Sequence, residues 1–512
     1  MKSSTQFILS ALLTLAISSC VATVKRAPKT VSHALETPPD TGFAREVKRM
    51  SAQHSGKSGF AVIEGNRQAF TDRVALADNA QKTLDVQYYI WSPDTIGRIL
   101  GDHVVRAAQR GVRVRCLIDD MNITTPDSAM LALAKHPNID VRLFNPRVWR
   151  SMRKADLIVH LRRLNHRMHN KAMIMDNACA VIGGRNIADE YFGLHESRNM
   201  RDLDIVAVGP IVKKVSSVFD EFWNSPAAIP VQNMVRDPKG VADFQKQADA
   251  LRDSIKPGQY PYPLDLDLAD VKAHLSKFES RFVWADGEVL YDSYESLKSP
   301  RHGSTVVGRL GELFAEAKKS LHIEAAYFVL RDPGLQVGRD LERRGVEMRV
   351  LTNSLASNNQ PKAQSGHAKH RKKILESGAE LFEFRPDSAT AHADVAPAAK
   401  GSVIGIHTKA FVIDGNQAFV GSYNLDPRSA EINSEIGLFV KSPVFAARVS
   451  RFLDEGIRPE NAYRVTLDSR GRPQWQAVFD GKPRTWTQDP ETTFGQRLME
   501  KIYMLLPIQS QL

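Results

Sequence analysis

His169-Asn-Lys171-Ala-Met-Ile-Met-Asp176-Asn-Ala-Cys-Ala-Val-Ile-Gly183-Gly184-Arg-Asn186 decides the fold, because its pattern returns 238 residues later. The second copy reads His407-Thr-Lys409-Ala-Phe-Val-Ile-Asp414-Gly-Asn-Gln-Ala-Phe-Val-Gly421-Ser422-Tyr-Asn424. In each, a short apolar run ends at an Asp-Asn or Asp-Gly turn, and a second run returns to Gly-Gly or Gly-Ser. Each motif therefore reads as a hairpin that gathers its His, Lys and Asn at one end.

The repeat extends well beyond the motifs. Helical periodicity over Ala75–Leu84 feeds a strand over Val86–Trp91, as Leu313–Leu321 feeds Ile323–Phe328. A second helix and strand follow in each half, at 104–118 and 338–351, and a third strand at 139–144 and 379–384. Leu84 stands 85 residues before His169 and Leu321 stands 86 before His407, so the register holds across the unit. The alternation predicts an α/β fold of two tandem halves with mainly parallel strands covered on both faces. The expected borders are 46–211 for the first domain, 212–300 for a connector with a helix over Asp267–Phe278, and 301–445 for the second domain. A C-terminal hairpin and helix would fill 446–512. Residues 387–400 lack large apolar groups and read as a mobile loop.

The chain has 512 residues, 42% hydrophobic and 25% charged, which describes a globular protein too long for one core. A formal charge of +11 favours an anionic partner: nucleic acid, an anionic bilayer or a phosphate headgroup. Residues 1–20 read as an export leader, with Lys2, an apolar run from Phe7 to Ile17, and Ile17-Ser18-Ser19-Cys20 at its end. That ending resembles a bacterial lipobox, which implies acylation of Cys20 and a tether over 21–45. The expectation is a lipid-anchored lipoprotein facing the periplasm or the outside. Cys116 and Cys179 sit in apolar runs and read as core residues.

A phosphodiester repels most nucleophiles, so a site that exchanges one must screen its oxygens and offer a neutral attacker. Imidazole can attack when neutral and donate a proton when charged. His169 and His407 supply two such rings, Lys171 and Lys409 two cations, and Asn186 and Asn424 two amide donors for the non-bridging oxygens. This inventory needs no metal and no other cofactor.

The paired motifs resemble the HKD motifs of the phospholipase D superfamily, and the flanking strings Thr83–Trp91 and Arg201–Pro210 are most similar to bacterial C-type cardiolipin synthases. The resemblance implies two α/β/α sandwich domains related by a pseudo-twofold axis, with one active site between them. It implies a covalent phosphohistidine on one histidine, expected to be His169, with His407 as acid and base. It makes Asp176 and Asp414 holders of backbone, with Gly184 and Ser422 supporting. An acid downstream of each motif is expected to orient a histidine: Glu435, 28 residues past His407, and its equivalent Asp202.

The substrate implied is a phospholipid, phosphatidylglycerol foremost and phosphatidylethanolamine second, met at a membrane surface. A transferase and a hydrolase share the intermediate and remain alternatives at this level. A nuclease would share the motifs; the leader and the apolar residues interleaved with eight basic ones over 147–171 argue against nucleic acid. That segment reads as a basic, apolar lip on the membrane. The run His367-Ala-Lys-His-Arg-Lys-Lys373 reads equally as a phosphate-attracting rim or as a solvated helix.

Overall fold

The computed structural model describes residues 29–506 except 236, 238–239, 241, 257, 262–278, 299–304 and 480. The leader with Cys20 and the helix expected over 267–278 lie outside the described residues.

The first half carries β1 (Ser58–Ile63), β2 (Thr83–Tyr88), β3 (Arg113–Asp119), β4 (Ile139–Phe144), β5 (Ala172–Met175), β6 (Cys179–Gly183), β7 (Arg198–Arg201), β8 (Asp204–Val208) and β9 (Ala228–Pro230). The second carries β10 (Val283–Tyr291), β11 (Ser320–Ala325), β12 (Glu347–Asn353), β13 (Glu380–Phe384), β14 (Val403–Ile406), β15 (Lys409–Ile413), β16 (Gln417–Gly421), β17 (Ile436–Lys441), β18 (Ala462–Leu467), β19 (Pro473–Phe479) and β20 (Lys482–Trp486). The pairings chain eighteen strands into one sheet, β9-β4-β3-β2-β5-β6-β8-β1 followed by β10-β17-β16-β15-β11-β12-β13-β18-β19-β20. The junction is antiparallel, with Ser58 opposite Ala285 and Phe60 opposite Val283.

Only β2–β3, β3–β4, β11–β12 and β12–β13 of that sheet are parallel, so the expectation of mainly parallel strands fails. The motifs are the reason: each hairpin, β5–β6 and β15–β16, docks antiparallel on the first parallel strand of its half. Leu84 faces Met175 and Leu321 faces Ile413, so the halves repeat the same register.

Helices Asn66–Asn79 and Thr95–Gln109 pack on the first half, and Thr305–Glu316 and Asp332–Arg343 take the matching places in the second. Helices Ile211–Asn224 and Pro443–Gly456 contribute to a core shared by both halves, in which Val212, Phe219, Phe445 and Val449 are buried with Ile174, Ile205, Val412 and Leu438. The expected borders shift accordingly. β9 pairs with β4, which carries the first domain past 211; β10 opens the second half's strands inside the expected connector; the expected C-terminal hairpin forms as β18–β19 with the helix Phe494–Leu505 after it, and β18 joins it to the sheet through β13.

Residues 387–400 are not a loose loop. A short helix, Ala389–Ala393, and a 3-10 turn, Pro397–Ala399, occupy them, and Asp394 accepts a hydrogen bond from Asn66 N at 2.7 Å across the halves. Small residues allow this close approach: Val395, Ala396 and Ala399 are buried. The basic run at 367–373 lies in the helix Pro361–Glu376 with Lys369, Lys372 and Lys373 exposed, as the solvated-helix reading expects, but two of its residues depart from it. His367 and Arg371 turn inward and meet the buried Glu383 carboxylate at 3.0 and 2.7 Å. Cys116 and Cys179 are free thiols, the second buried. Among the described residues no helix is long and apolar enough to cross a membrane.

Candidate active site

His169 and Lys171 lie just before β5, and His407 and Lys409 precede and open β15, so alternation along the extended chain sends both side chains of a copy to the same face. The two copies are stitched together through their backbones. His169 N–H donates to the Ser434 carbonyl at 3.0 Å, and His407 N–H donates to the Arg201 carbonyl at 2.8 Å. Each histidine therefore sits against the chain segment that follows the other motif.

The acids cross over as well. Glu435 meets His169 Nδ1 at 2.8 Å, and Asp202 meets His407 Nδ1 at 2.6 Å. Each acid serves the histidine of the opposite half rather than that of its own motif. Both carboxylates are buried, and a ring held at Nδ1 leaves Nε2 for chemistry. Glu435 also accepts from the Ser422 hydroxyl and from Ser429 Oγ at 2.8 Å. Gly184 occupies the place of Ser422, and a Cβ there would overlap the Asp202 carboxylate. One motif gives its acid a hydrogen bond, the other gives it room.

Asp176 accepts from Lys82 N and Thr83 N at 2.8 Å each, and Asp414 accepts from Lys319 N at 2.7 Å and Ser320 N at 3.0 Å. Both lie in the left-handed region, φ 52°, at the hairpin turn, and tie it to the start of the neighbouring strand. Neither reaches the histidines among these contacts. Asn186 accepts from Ile90 N at 3.2 Å through its side-chain oxygen, which leaves its NH2 as a donor. Asn424 is buried beside Ser429, its backbone N–H 3.3 Å from that hydroxyl.

Lys171 Nζ donates to the His169 carbonyl at 2.6 Å, and Lys409 Nζ to the His407 carbonyl. Burial drives Lys171 well below the usual ammonium range and Lys409 down to about 8. Burial, reinforced by the two ammoniums, holds His169 well below its usual value; burial and Lys409 bring His407 to about 3. Both rings are neutral in the empty site. The acids differ. Burial raises Glu435 to about 7 against the pull of Lys171, whereas contact with His407 and Lys409 overcomes burial at Asp202 and leaves it near 2.

Three residues of the site carried no sequence signal. Tyr89 stands edge-on to His169, ring centroids 5.1 Å apart, with Lys171 Nζ 5.5 Å from its ring. Tyr191 stands edge-on to His407 at 4.9 Å. Ser429 follows the second motif at the position Tyr191 takes after the first, so the repeat itself hides the difference.

The segment 147–171 departs from the expected basic lip. Arg147 donates to the Asp120 and Met121 carbonyls, Arg150 pairs with Asp120 and Asp127, Arg163 bonds Asn145, and Arg167 is buried on Asp119. Trp149 is half-buried against His160. Among the described side chains Ile158 is 79% exposed and Met152, Val159 and Leu161 are each 57% exposed, with Arg162 exposed beside them.

A family model described as cardiolipin synthase, PLD-like domain, matches residues 74–223 and 310–456, one match per half. The chain is 35% identical over 475 residues to cardiolipin synthase C of Escherichia coli, covering 91% of this chain and 99% of that protein. It is 22% identical to a probable cardiolipin synthase of Bacillus subtilis, over 87% and 78% of the two chains. The crystal structure of a phosphatidylserine synthase from Haemophilus influenzae superposes with a TM-score of 0.54 at 14% identity, covering 90% of this chain and all of that one, and shares the fold. With two matched domains, a doubled motif and reciprocal histidine–acid pairs, the chain belongs to the phospholipase D-like family of the cardiolipin synthases, enzymes of the phosphatidyltransferase type.

Proposed function

We infer that this enzyme transfers the phosphatidyl group of one phospholipid to the glycerol hydroxyl of phosphatidylglycerol, forming cardiolipin through a phosphohistidine. The observation that carries the reading is the reciprocal pairing of His169 with Glu435 and His407 with Asp202, two imidazoles presented from opposite halves to one site. Neutral His169 Nε2 attacks phosphorus while the bond to the headgroup oxygen breaks, and that oxygen takes the proton of His407. The acceptor hydroxyl then returns a proton to His407 and attacks phosphorus, releasing His169. Lys171, Lys409 and the Asn186 and Asn424 amides meet the non-bridging oxygens as their charge shifts.

The unequal acids support this division of labour. An ionised Asp202 stabilises an imidazolium at His407, the state a proton donor needs; burial and Lys409 hold that ring neutral, and a bound diester offsets the contribution of Lys409. Glu435 is reluctant to ionise and leaves His169 uncharged.

The apolar surface at Ile158, Val159 and Leu161 leads into the first motif and suits insertion among lipid headgroups. Acylation at Cys20 would hold the site at an extracytoplasmic membrane face; two acyl chains at about 0.8 kcal/mol per buried methylene anchor stably.

The test is product analysis of purified protein on phosphatidylglycerol vesicles, with and without phosphatidylethanolamine. Cardiolipin with release of glycerol or ethanolamine is the expected outcome. Phosphatidate alone would make the enzyme a hydrolase, and cleavage of single-stranded DNA without lipid turnover would remove the lipid reading. Mass spectrometry of trapped protein should find the phosphatidyl adduct on His169.

A further inference from the structure

An apolar, open-sided cavity of about 610 Å3 lies in the second half beside the catalytic loop, within the range of about 300–1,000 Å3 typical of ligand cavities. Helices Thr305–Glu316 and Asp332–Arg343 form its walls and β11 and β12 its floor. Its lining includes Leu310, Phe314, Ile323, Val337, Met348 and Val350. Leu425 and Asp426, the residues after Asn424, stand at one end. Val329 N–H donates to the Leu425 carbonyl at 2.8 Å, tying the cavity edge to the motif.

The first half shows what this place holds when it is filled. Residues correspond at an offset of 237, by which Leu84 becomes Leu321. Phe70 becomes Val307, Val74 becomes Gly311, Trp91 becomes Phe328 and Leu100 becomes Val337, each replaced by a smaller residue. Phe70 and Val74 are fully buried, and Phe70 packs against Phe192 and Tyr260. Eight of 14 and eleven of 15 residues are buried in the first-half helices, against four of 12 and two of 12 in their counterparts, so the second pair stands off its sheet. A Cβ on Gly311 would meet nothing within 4 Å. Glycine inside a helix is unfavourable, so Gly311 keeps space at the expense of helix stability.

We propose that this cavity holds a fatty acyl chain of the phospholipid whose phosphate lies between His169 and His407. The inference rests on the phospholipid reading above and extends it to a tail site. A chain of methylenes asks only for apolar walls. Among the polar side chains, Ser377 Oγ donates to its own helix at Ile374 O, Asp426 caps Ser429 N, and Arg331 pairs with Glu431. These groups are committed, and beyond them the lining adds one Tyr423 side chain, which leaves little to recognise a base or a peptide. Tail contacts remote from phosphorus supply binding energy that positions the diester for attack.

The test uses the full-length chain with Gly311→Leu, which fills the cavity, and Gly308→Leu, on the exposed side of the same helix, as control. On dioleoylphosphatidylglycerol vesicles Gly311→Leu should lose tenfold or more in turnover, while bis(p-nitrophenyl) phosphate cleavage stays within twofold of wild type. Gly308→Leu should leave both unchanged. Wild-type turnover of the long-chain lipid by a folded Gly311→Leu protein overturns the proposal. Should that variant fail to fold, Val307→Phe, which restores the first-half residue, takes its place with the same two outcomes. Should wild type turn over no phospholipid, the functional reading fails on its own. Binding of pyrenedecanoyl-phosphatidylglycerol then decides the cavity: binding lost in Gly311→Leu supports it, and absent or equal binding overturns it.

Discussion

His169 Nδ1 lies 2.8 Å from Glu435 Oε2 across 266 residues of chain, and the relationship is returned between His407 and Asp202 at 2.6 Å. The pairs share geometry and differ in charge, because burial raises Glu435 to about 7 although the Ser422 and Ser429 hydroxyls favour its anion, while Asp202 stays ionised.

Asp202→Asn should therefore cost more than Glu435→Gln. An amide opposite His407 removes the charge that supports its imidazolium, and such a change at a histidine-orienting acid lowers kcat by about 10⁴ in the best-studied case. An amide opposite a neutral His169 still accepts its N–H, and about 10- to 100-fold is expected there. Steady-state kinetics on a soluble diester measure both. Equal losses, or a larger loss at Glu435, would contradict the assigned roles.

The rate should fall on the alkaline side near pH 8. Lys409, brought down to about 8 by burial, is charged below that value and neutral above it, so its attraction for the diester disappears as pH rises. The limb belongs in kcat/KM, which reports the free enzyme. In Lys409→Arg the part of the limb due to Lys409 should disappear, since guanidinium keeps its proton, and a limb that stays belongs to Lys171, which burial also lowers.

Gly184→Ala should inactivate without unfolding. The added methyl overlaps the Asp202 carboxylate and displaces it from His407. A loss of about 100-fold or more in kcat is expected, with circular dichroism and melting close to wild type. Near-normal activity would mean that Asp202 moves without consequence.

Ile158→Ser with Leu161→Ser should weaken vesicle binding and lipid turnover while sparing a soluble diester. The two side chains are 79% and 57% exposed and lie outside the catalytic constellation. Because the contribution is apolar, the loss should persist at high salt, where cation attraction is screened. Equal losses on both substrates would place these residues in the fold rather than at a membrane.

Much of the architecture was legible in the chain. The hairpins at 172–183 and 409–421 and the strand at 139–144 emerge from apolar runs and turn residues, which are local signals. The acids Glu435 and Asp202 were found through register, yet which histidine each serves is a contact across the pseudo-twofold axis and leaves no trace in spacing. Tyr89, just past the end of β2, and Tyr191, in a 3-10 turn, were hidden because an isolated aromatic residue looks like core. Over 147–171, composition suggested charge at the surface; Arg147, Arg150, Arg163 and Arg167 instead turn inward to carboxylates and carbonyls, while Met152, Ile158, Val159 and Leu161 face out. The alanine-rich stretch at 387–400 was misread because small side chains signal a loop by composition and close packing by geometry.

The crossing of acids between halves also sets an order in time. A chain made from its N-terminus has a finished first hairpin long before residue 435 exists, and until then His169 lacks the carboxylate that aims it. The sheet junction is delayed likewise, since β1 waits for β10. A chain that stops before residue 435 therefore leaves His169 without its carboxylate partner, and one that stops before residue 283 leaves β1 without β10.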